Sequence, residues 1–175
     1  MKRNETKNII LIGYMGYGKS TVGKKAAKAL EYNFLDTDAL IEETEKMTIS
    51  RLFEEKGEAY FREQETKTIR RLLKEPKGNI IATGGGLPMT TGNAELLKEL
   101  GTVIYLKADT ETLVKRLRGD TTRPLLKEGD LRTKIDTMLS VRGPVYEAAA
   151  DRILVTDTMS FYEIICQLEQ LAKEE

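Results

Sequence analysis

The chain has 175 residues, of which 40% are hydrophobic and 32% are charged, and its 28 basic residues are balanced by 28 acidic ones. This length favours a single domain, which we expect to span residues 1–175. The sequence shows neither the basic excess typical of nucleic-acid binders nor an apolar run of about 20 residues that could span a bilayer, so we expect a cytoplasmic protein without nucleic-acid or membrane partners. The small size and the lack of an obvious apolar patch favour a monomer.

Five short apolar runs predict strands, and the segments between them carry apolar residues at helical spacing. The predicted strands are residues 8–12, 33–35, 79–82, 102–106 and 152–155. Alternation of strand and helix, with nearly continuous apolar strands, indicates an α/β fold in which helices cover both faces of a parallel sheet. Ligands of such sheets bind beyond the carboxyl ends of the strands.

The first predicted strand leads into the sequence GYMGYGKS at residues 13–20, which fits the phosphate-binding pattern G-x-x-x-x-G-K-[ST]. In such a loop the backbone N–H groups turn inward around phosphate oxygens, and the next helix adds a favourable dipole. We expect Lys19 to reach the β- and γ-phosphates of ATP and the Ser20 hydroxyl to bind Mg²⁺. The expected ATP contacts of this segment are Gly16, Tyr17, Gly18, Lys19, Ser20 and Thr21.

Two aspartates, Asp36 and Asp38, follow the second strand beside the expected phosphate site. Side chains two residues apart in an extended segment point the same way. One carboxylate is then expected to hold Mg²⁺ through water, while the other faces an acceptor hydroxyl. The alternative is a solvated turn, or an aspartate that caps a helix starting at Ala39. Because the chain contains no histidine, any proton abstraction falls to another residue type.

Three consecutive glycines, Gly84, Gly85 and Gly86, follow the third strand, so no carboxylate is available there to hold Mg²⁺. Three glycines in a row cost backbone entropy that an ordinary turn does not require, which indicates close approach of a ligand. Further along, residues 118–130 show the least periodicity and contain glycine and proline, which predicts a mobile loop.

Six short motifs occur together in the order and with the spacing found in shikimate kinases. They are GYMGYGKST, DTD, the FRxxE of residues 61–65, GGG, the TRPLL of residues 122–126 and the RxxxY of residues 142–146. The chain therefore resembles the shikimate kinase family over most of its length. The resemblance implies a P-loop NTPase fold of the nucleoside-monophosphate-kinase type, with a five-stranded parallel sheet, a lid at about 118–130 and a substrate-binding region at about 38–73.

The resemblance also implies a reaction and roles for individual residues. The γ-phosphoryl of ATP is expected to move to the 3-hydroxyl of shikimate, giving shikimate 3-phosphate and ADP in aromatic amino acid biosynthesis, with Mg²⁺ as cofactor. Asp38 corresponds to the acid that binds the shikimate hydroxyls and is the candidate base, and Asp36 corresponds to the water-mediated Mg²⁺ partner. The implied substrate-binding residues are Asp38, Arg62, Gly84, Gly85, Gly86 and Arg142.

Within that set, Arg62 and Arg142 correspond to the pair that clamps the substrate carboxylate, and the glycines lie against the ring. The implied catalytic residues are Asp38, Lys19 and Arg123, where Arg123 is the cation of the lid. Arg116 is expected near adenine, with Arg118 as a rival for that place.

Two alternatives remain open. One is a kinase of the same fold that acts on another small acceptor, such as gluconate or a nucleoside monophosphate, and the other is a nucleotide-binding regulatory module that hydrolyses ATP slowly. Taken alone, Arg62 also fits a surface residue paired with Glu65 three positions on. The two arginines and the glycine loop together favour shikimate.

Overall fold

A computed structural model of the chain describes residues 7–15, 18–118 and 130–174. These residues contain a five-stranded parallel sheet with the strand order β2-β3-β1-β4-β5. The strands are β1 (Asn8–Ile12), β2 (Asn33–Asp36), β3 (Asn79–Ala82), β4 (Gly101–Lys107) and β5 (Arg152–Val155). The predicted strands are confirmed, although β2 runs one residue further and β4 is one residue longer at each end.

Eight α-helices lie among the described residues: α1 (Lys19–Leu30), α2 (Thr37–Glu45), α3 (Ile49–Lys56), α4 (Glu58–Leu72), α5 (Asn93–Leu100), α6 (Thr110–Leu117), α7 (Leu131–Ala149) and α8 (Phe161–Lys173). A 3₁₀ turn spans Leu87–Met89. Helix α1 packs on β1, β2 and β3 beside α8, whereas α5 packs on β1 and β4 beside α7. Every residue of β1 and β3 is buried, as expected of central strands covered on both faces. In the ranges that the structure describes, no helix is long and apolar enough to cross a membrane.

The register of the sheet brings the predicted site together. In the parallel pairing, Ala82 at the end of β3 lies opposite Asp36 on one side and Leu11 on the other. The glycines after β3 therefore lie between the phosphate-binding loop after β1 and the aspartates after β2. All three segments emerge at the carboxyl edge, where α/β sheets bind ligands.

Helices α2, α3 and α4 pack together, while Ile69 and Leu72 of α4 belong to the main core. The three helices share a small hydrophobic cluster of their own, formed by Ile41, Leu52 and Phe61. The substrate-binding region predicted at about 38–73 spans these three helices, and its role stays a prediction. Its attachment to the sheet through the end of β2 and through α4 places its side chains beside the glycines.

Candidate active site

The phosphate-binding loop ends at Gly18, which is the N-cap of α1. Gly18 has φ 76° and ψ 21°, in the left-handed region that favours glycine. The Lys19 Nζ donates hydrogen bonds to the carbonyl oxygens of Gly13 at 2.7 Å and Tyr14 at 3.0 Å. The ammonium group is therefore held across the loop, where such a lysine meets nucleotide phosphates. Thr21 follows in the first turn of α1, with its side chain exposed.

Several residues of the predicted nucleotide site are not placed by the structure. Gly16, Tyr17 and Arg123 lie outside the described residues. Arg116 lies in the last turn of α6, and Arg118 follows that helix directly. Both are exposed, so their positions do not decide which of them approaches adenine.

Asp36 connects the phosphate-binding loop to α2. Its Oδ2 accepts a hydrogen bond from the Ser20 Oγ at 2.8 Å, and its Oδ1 accepts from the N–H groups of Asp38 at 3.0 Å and Ala39 at 3.3 Å. The prediction of an extended segment through Asp38 is wrong, because α2 begins at Thr37 and Asp36 is its N-cap. The capping alternative is correct, with the helix starting two residues before Ala39. A carboxylate has two oxygens, so Asp36 can cap α2 with one oxygen while the other accepts the hydrogen bond from Ser20.

Asp38 lies in the first turn of α2 and is largely buried. Burial and the negative charge of Asp36 raise the pKa of the Asp38 carboxyl to about 6, against the lowering effect of Lys19. The Asp38 Oδ1 is buried and accepts no hydrogen bond within the described part of the chain. Since buried acceptors are normally paired, this oxygen is placed to receive a hydroxyl donor from a ligand.

Arg62 on α4 forms a double ion pair. Its Nη1 lies 2.9 Å from the Glu65 Oε2, and its Nη2 lies 3.1 Å from the Glu58 Oε1. The predicted pairing with Glu65 is therefore present. A guanidinium fixed in this way presents a preorganised face to a carboxylate.

Glu65 is more deeply buried than sequence reasoning foresaw. Its side chain is 0% exposed. Burial raises the pKa of the Glu65 carboxyl to about 7, although Arg62 acts in the opposite direction. The Glu65 Oε1 also accepts no hydrogen bond from any described residue. A signal was available, because Glu65 lies between Phe61 and Ile69 at spacings of four, on the buried face of α4.

The three glycines each face a different predicted substrate-binding side chain. A Cβ placed on Gly84 would lie 2.7 Å from the Asp38 Oδ1, and one on Gly86 would lie 2.6 Å from the Arg62 Cζ. A Cβ on Gly85 would lie 3.5 Å from the Arg142 Nη1. Asp38, Arg62 and Arg142 are thus brought together around one short backbone segment, which has no side chains to separate them.

Helix α7 supplies Arg142 and, one turn later, Tyr146. The Tyr146 hydroxyl donates a hydrogen bond to the Gly85 carbonyl oxygen at 2.5 Å. Its ring is fully buried and packs against Tyr105, with ring centroids 5.1 Å apart. Sequence reasoning noted Tyr146 only as part of a motif. Arg142 forms no ion pair with another described residue, in contrast to Arg62.

The oxygen ligands available for a metal are few. The described residues contain no group of three or more histidine, cysteine, aspartate or glutamate side chains that could hold an ion. The Ser20 hydroxyl and the Asp36 carboxylate, 2.8 Å apart, are hard oxygen donors. Such a set fits Mg²⁺, which keeps several waters and takes few protein ligands beside nucleotide phosphates.

Comparison with known proteins identifies close relatives. The sequence profile of the family described as shikimate kinase matches residues 15–172. A shikimate kinase of Caldicellulosiruptor bescii is 45% identical over 141 residues, covering 81% of each chain. The structure of shikimate kinase from Acinetobacter baumannii in complex with shikimate superposes with a TM-score of 0.88 at 37% identity, covering 95% of this chain and 93% of that one. A gluconokinase from Sinorhizobium meliloti has a TM-score of 0.57 at 17% identity over 98% of this chain and 97% of that one, and so shares the fold alone.

Proposed function

Because the chain belongs to the shikimate kinase family, we propose that it transfers the γ-phosphoryl of ATP to the 3-hydroxyl of shikimate. The observation that carries the proposal is the convergence of Asp38, Arg62 and Arg142 on the glycines beside the phosphate-binding loop. The same fold occurs in a gluconokinase, but 17% identity supports no shared substrate. A regulatory module has no need for two arginines facing a buried carboxylate across a glycine loop.

The chemistry of the site matches a small hydroxylated acid. Shikimate carries one carboxylate and three hydroxyls, so it requires cations at one end and acceptors at the other. Arg62 and Arg142 supply the cations, and each guanidinium can offer two parallel hydrogen bonds to one carboxylate. The unpartnered Asp38 Oδ1 supplies the acceptor. The glycine segment between them allows the ring to approach the backbone closely.

Phosphoryl transfer at this site is mainly positioning and electrostatic stabilisation. The bond between the γ-phosphorus and the oxygen that stays with ADP breaks, and a bond forms from the γ-phosphorus to the shikimate 3-oxygen. Asp38 orients the attacking hydroxyl and accepts its proton, while Lys19 stabilises charge on the transferred group. Ser20, and Asp36 through water, would hold Mg²⁺, which when bound neutralises charge on the phosphates.

Other roles rest on the resemblance and stay predictions. We propose that residues 118–130 form the lid and that Arg123 is its closing cation, which would exclude water and limit ATP hydrolysis. Arg116 is the proposed neighbour of adenine. The monomeric state and the cytoplasmic location are likewise predictions.

Coupled detection of ADP tests the proposed function directly. With ATP and Mg²⁺, we expect ADP release to depend on shikimate, with gluconate and a reaction lacking any acceptor as controls. Product analysis should then show shikimate 3-phosphate. ADP release that is indifferent to shikimate would refute the assignment.

The two buried carboxyls predict how activity and stability respond to pH. With pKa values raised to about 6 for Asp38 and about 7 for Glu65, we expect kcat/KM for shikimate to rise between about pH 5 and pH 8, because the ionised forms accept the substrate and fix Arg62. The folded chain holds these protons more tightly than the unfolded chain does. Their contribution to the free energy of unfolding is therefore fully present below about pH 4 and is lost as the pH rises through about 6 and 7.

Activity and stability should thus change in opposite directions over one pH range. A pH profile of kcat/KM, together with urea unfolding at pH 5 and pH 8, measures both. Glu65→Gln should reduce the change in kcat/KM and in the free energy of unfolding at the upper end of this pH range. A parallel rise of activity and stability over this range would contradict the assigned burial.

Gly85 gives a second prediction about the substrate site. A Cβ there would make only ordinary contacts, 3.5 Å from the Arg142 Nη1 and 3.6 Å from the Gly13 carbonyl oxygen, so the fold accepts alanine. The added methyl group would, however, stand in the space that we assign to shikimate. We expect Gly85→Ala to raise the shikimate KM by about 10-fold, with the melting temperature and the ATP KM nearly unchanged.

Gly143→Ala is the matched control for this change. A Cβ on Gly143, in α7, would meet no atom within 4 Å apart from its chain neighbours and the helix backbone, so both KM values should stay as they are. An unchanged shikimate KM in Gly85→Ala would remove Gly85 from the substrate contacts.

A further inference from the structure

Tyr146 makes an unusual side-chain contact to the glycine segment. Its hydroxyl donates to the Gly85 carbonyl oxygen at 2.5 Å, at the short end of the range for O–H···O hydrogen bonds. The ring is fully buried and held against Tyr105, so the hydroxyl has little freedom to leave this position. The contact therefore fixes the direction of the Gly85 carbonyl group.

That carbonyl belongs to the peptide bond between Gly85 and Gly86. In a trans peptide the C=O and the following N–H point in opposite directions. Since the carbonyl oxygen faces Tyr146, the Gly86 N–H must point away from it. Gly86 is buried, and none of the described residues accepts a hydrogen bond from its N–H. Buried N–H groups are rarely left without an acceptor, so this donor is available to a ligand.

The surroundings of the peptide indicate which ligand group it meets. Gly86 lies against the Arg62 guanidinium, and Gly85 lies against the Arg142 Nη1. A carboxylate bound by both arginines therefore lies beside this peptide. A peptide between two glycines is also the kind that reorients most easily, because neither residue has a Cβ. A reversed peptide would present its carbonyl oxygen, instead of its N–H, to the substrate anion.

We propose that Tyr146 is a positioning residue for substrate binding. Its hydroxyl holds the Gly85–Gly86 peptide in the orientation that directs the Gly86 N–H to the shikimate carboxylate. This inference rests on the proposed function, because it takes shikimate as the anion between the arginines. The hydroxyl is engaged with the Gly85 carbonyl oxygen, so Tyr146 acts through the backbone of the glycine segment. Tyr146 lies one turn after Arg142, so the same helix positions both the arginine and the glycine peptide.

Tyr146→Phe in the full chain tests the proposal, because it keeps the buried ring and its packing on Tyr105 and removes only the hydroxyl. We expect the shikimate KM to rise by about 10-fold, as for loss of one charge-assisted hydrogen bond. The ATP KM should change by less than about 2-fold, since a folding defect would affect both substrates. The melting temperature should fall by no more than about 6 °C. Tyr105→Phe removes a hydroxyl from the other ring of the pair and should leave the shikimate KM unchanged.

Amide NMR of glycine-labelled protein gives a second readout. Adding shikimate should shift the Gly86 amide resonance strongly in the wild-type chain and weakly in Tyr146→Phe. Equal changes in both KM values, an unchanged shikimate KM, or a Gly86 resonance indifferent to shikimate would each overturn the proposal. If the wild-type chain shows no shikimate-dependent ADP release, the proposed function itself fails. Normal wild-type turnover with an unaffected Tyr146→Phe variant refutes only the role of Tyr146.

Discussion

Replacement of Asp38 by asparagine is expected to lower kcat by about 10²-fold or more while the fold survives. The Asp38 Oδ1 is buried without a partner, and the carboxyl has a pKa raised to about 6, so it is poised to accept a proton near neutral pH. An amide occupies the same volume but cannot accept that proton. It also presents a donor where the hydroxyl of shikimate requires an acceptor.

Steady-state kinetics with both substrates and a thermal unfolding curve measure this effect. Ionisation of a buried carboxyl group costs free energy, so Asp38→Asn should be as stable as the wild-type chain or more so. Glu43→Gln makes the same chemical change on an exposed residue of α2 and should leave kcat unaltered. A kcat for Asp38→Asn within a few-fold of the wild-type value would remove Asp38 from the chemistry.

Arg142→Ala is expected to raise the shikimate KM by about 10²-fold, with a much smaller effect on the ATP KM. Arg62 is already balanced by Glu58 and Glu65, whereas Arg142 forms no ion pair among the described residues. Arg142 is therefore less neutralised than Arg62 and is the stronger attraction for an incoming anion. Its removal should cost more binding than the loss of an exposed arginine.

Arg132→Ala provides the control, because Arg132 is an exposed residue of the same helix that pairs with Glu111 at 2.8 Å. It should leave both KM values unchanged. Arg142→Lys keeps the charge but not the two parallel hydrogen bonds, so it should recover only part of the affinity. If Arg142→Ala raised both KM values equally, the arginine would act in closure or folding instead of in the carboxylate clamp.

The sheet was largely predictable because each strand is a short, continuous apolar run. Polar residues or glycine mark the end of each run. The runs at 8–12 and 79–82 coincide with β1 and β3, the buried centre of the sheet. The phosphate-binding loop was predictable for a related reason, since its backbone geometry requires glycine at fixed positions. Gly18, with its positive φ, is an example.

The details of the site depend on contacts that local patterns do not contain. The period-two argument failed at Asp36 because the Ser20 hydroxyl and two backbone N–H groups all find acceptors on its carboxylate, which favours immediate helix entry at Thr37. The burial of Glu65 is a different case, because its spacing of four from Phe61 and Ile69 did indicate the buried face of α4. Tyr146 was noted only within the RxxxY motif, and its contact was not predictable because its partner is a backbone oxygen 61 residues away along the chain.

Helix α7 has a mechanical consequence. Its 19 residues form a rod about 28 Å long. One end starts directly after the predicted lid, and the other carries Arg142 and Tyr146 against the glycine segment. Because Arg142 belongs to this helix and precedes its internal proline, Pro144, a tilt imposed at the N-terminal end also displaces Arg142. We therefore expect the affinity for shikimate to depend on which nucleotide is bound, with the reciprocal effect on the affinity for the nucleotide.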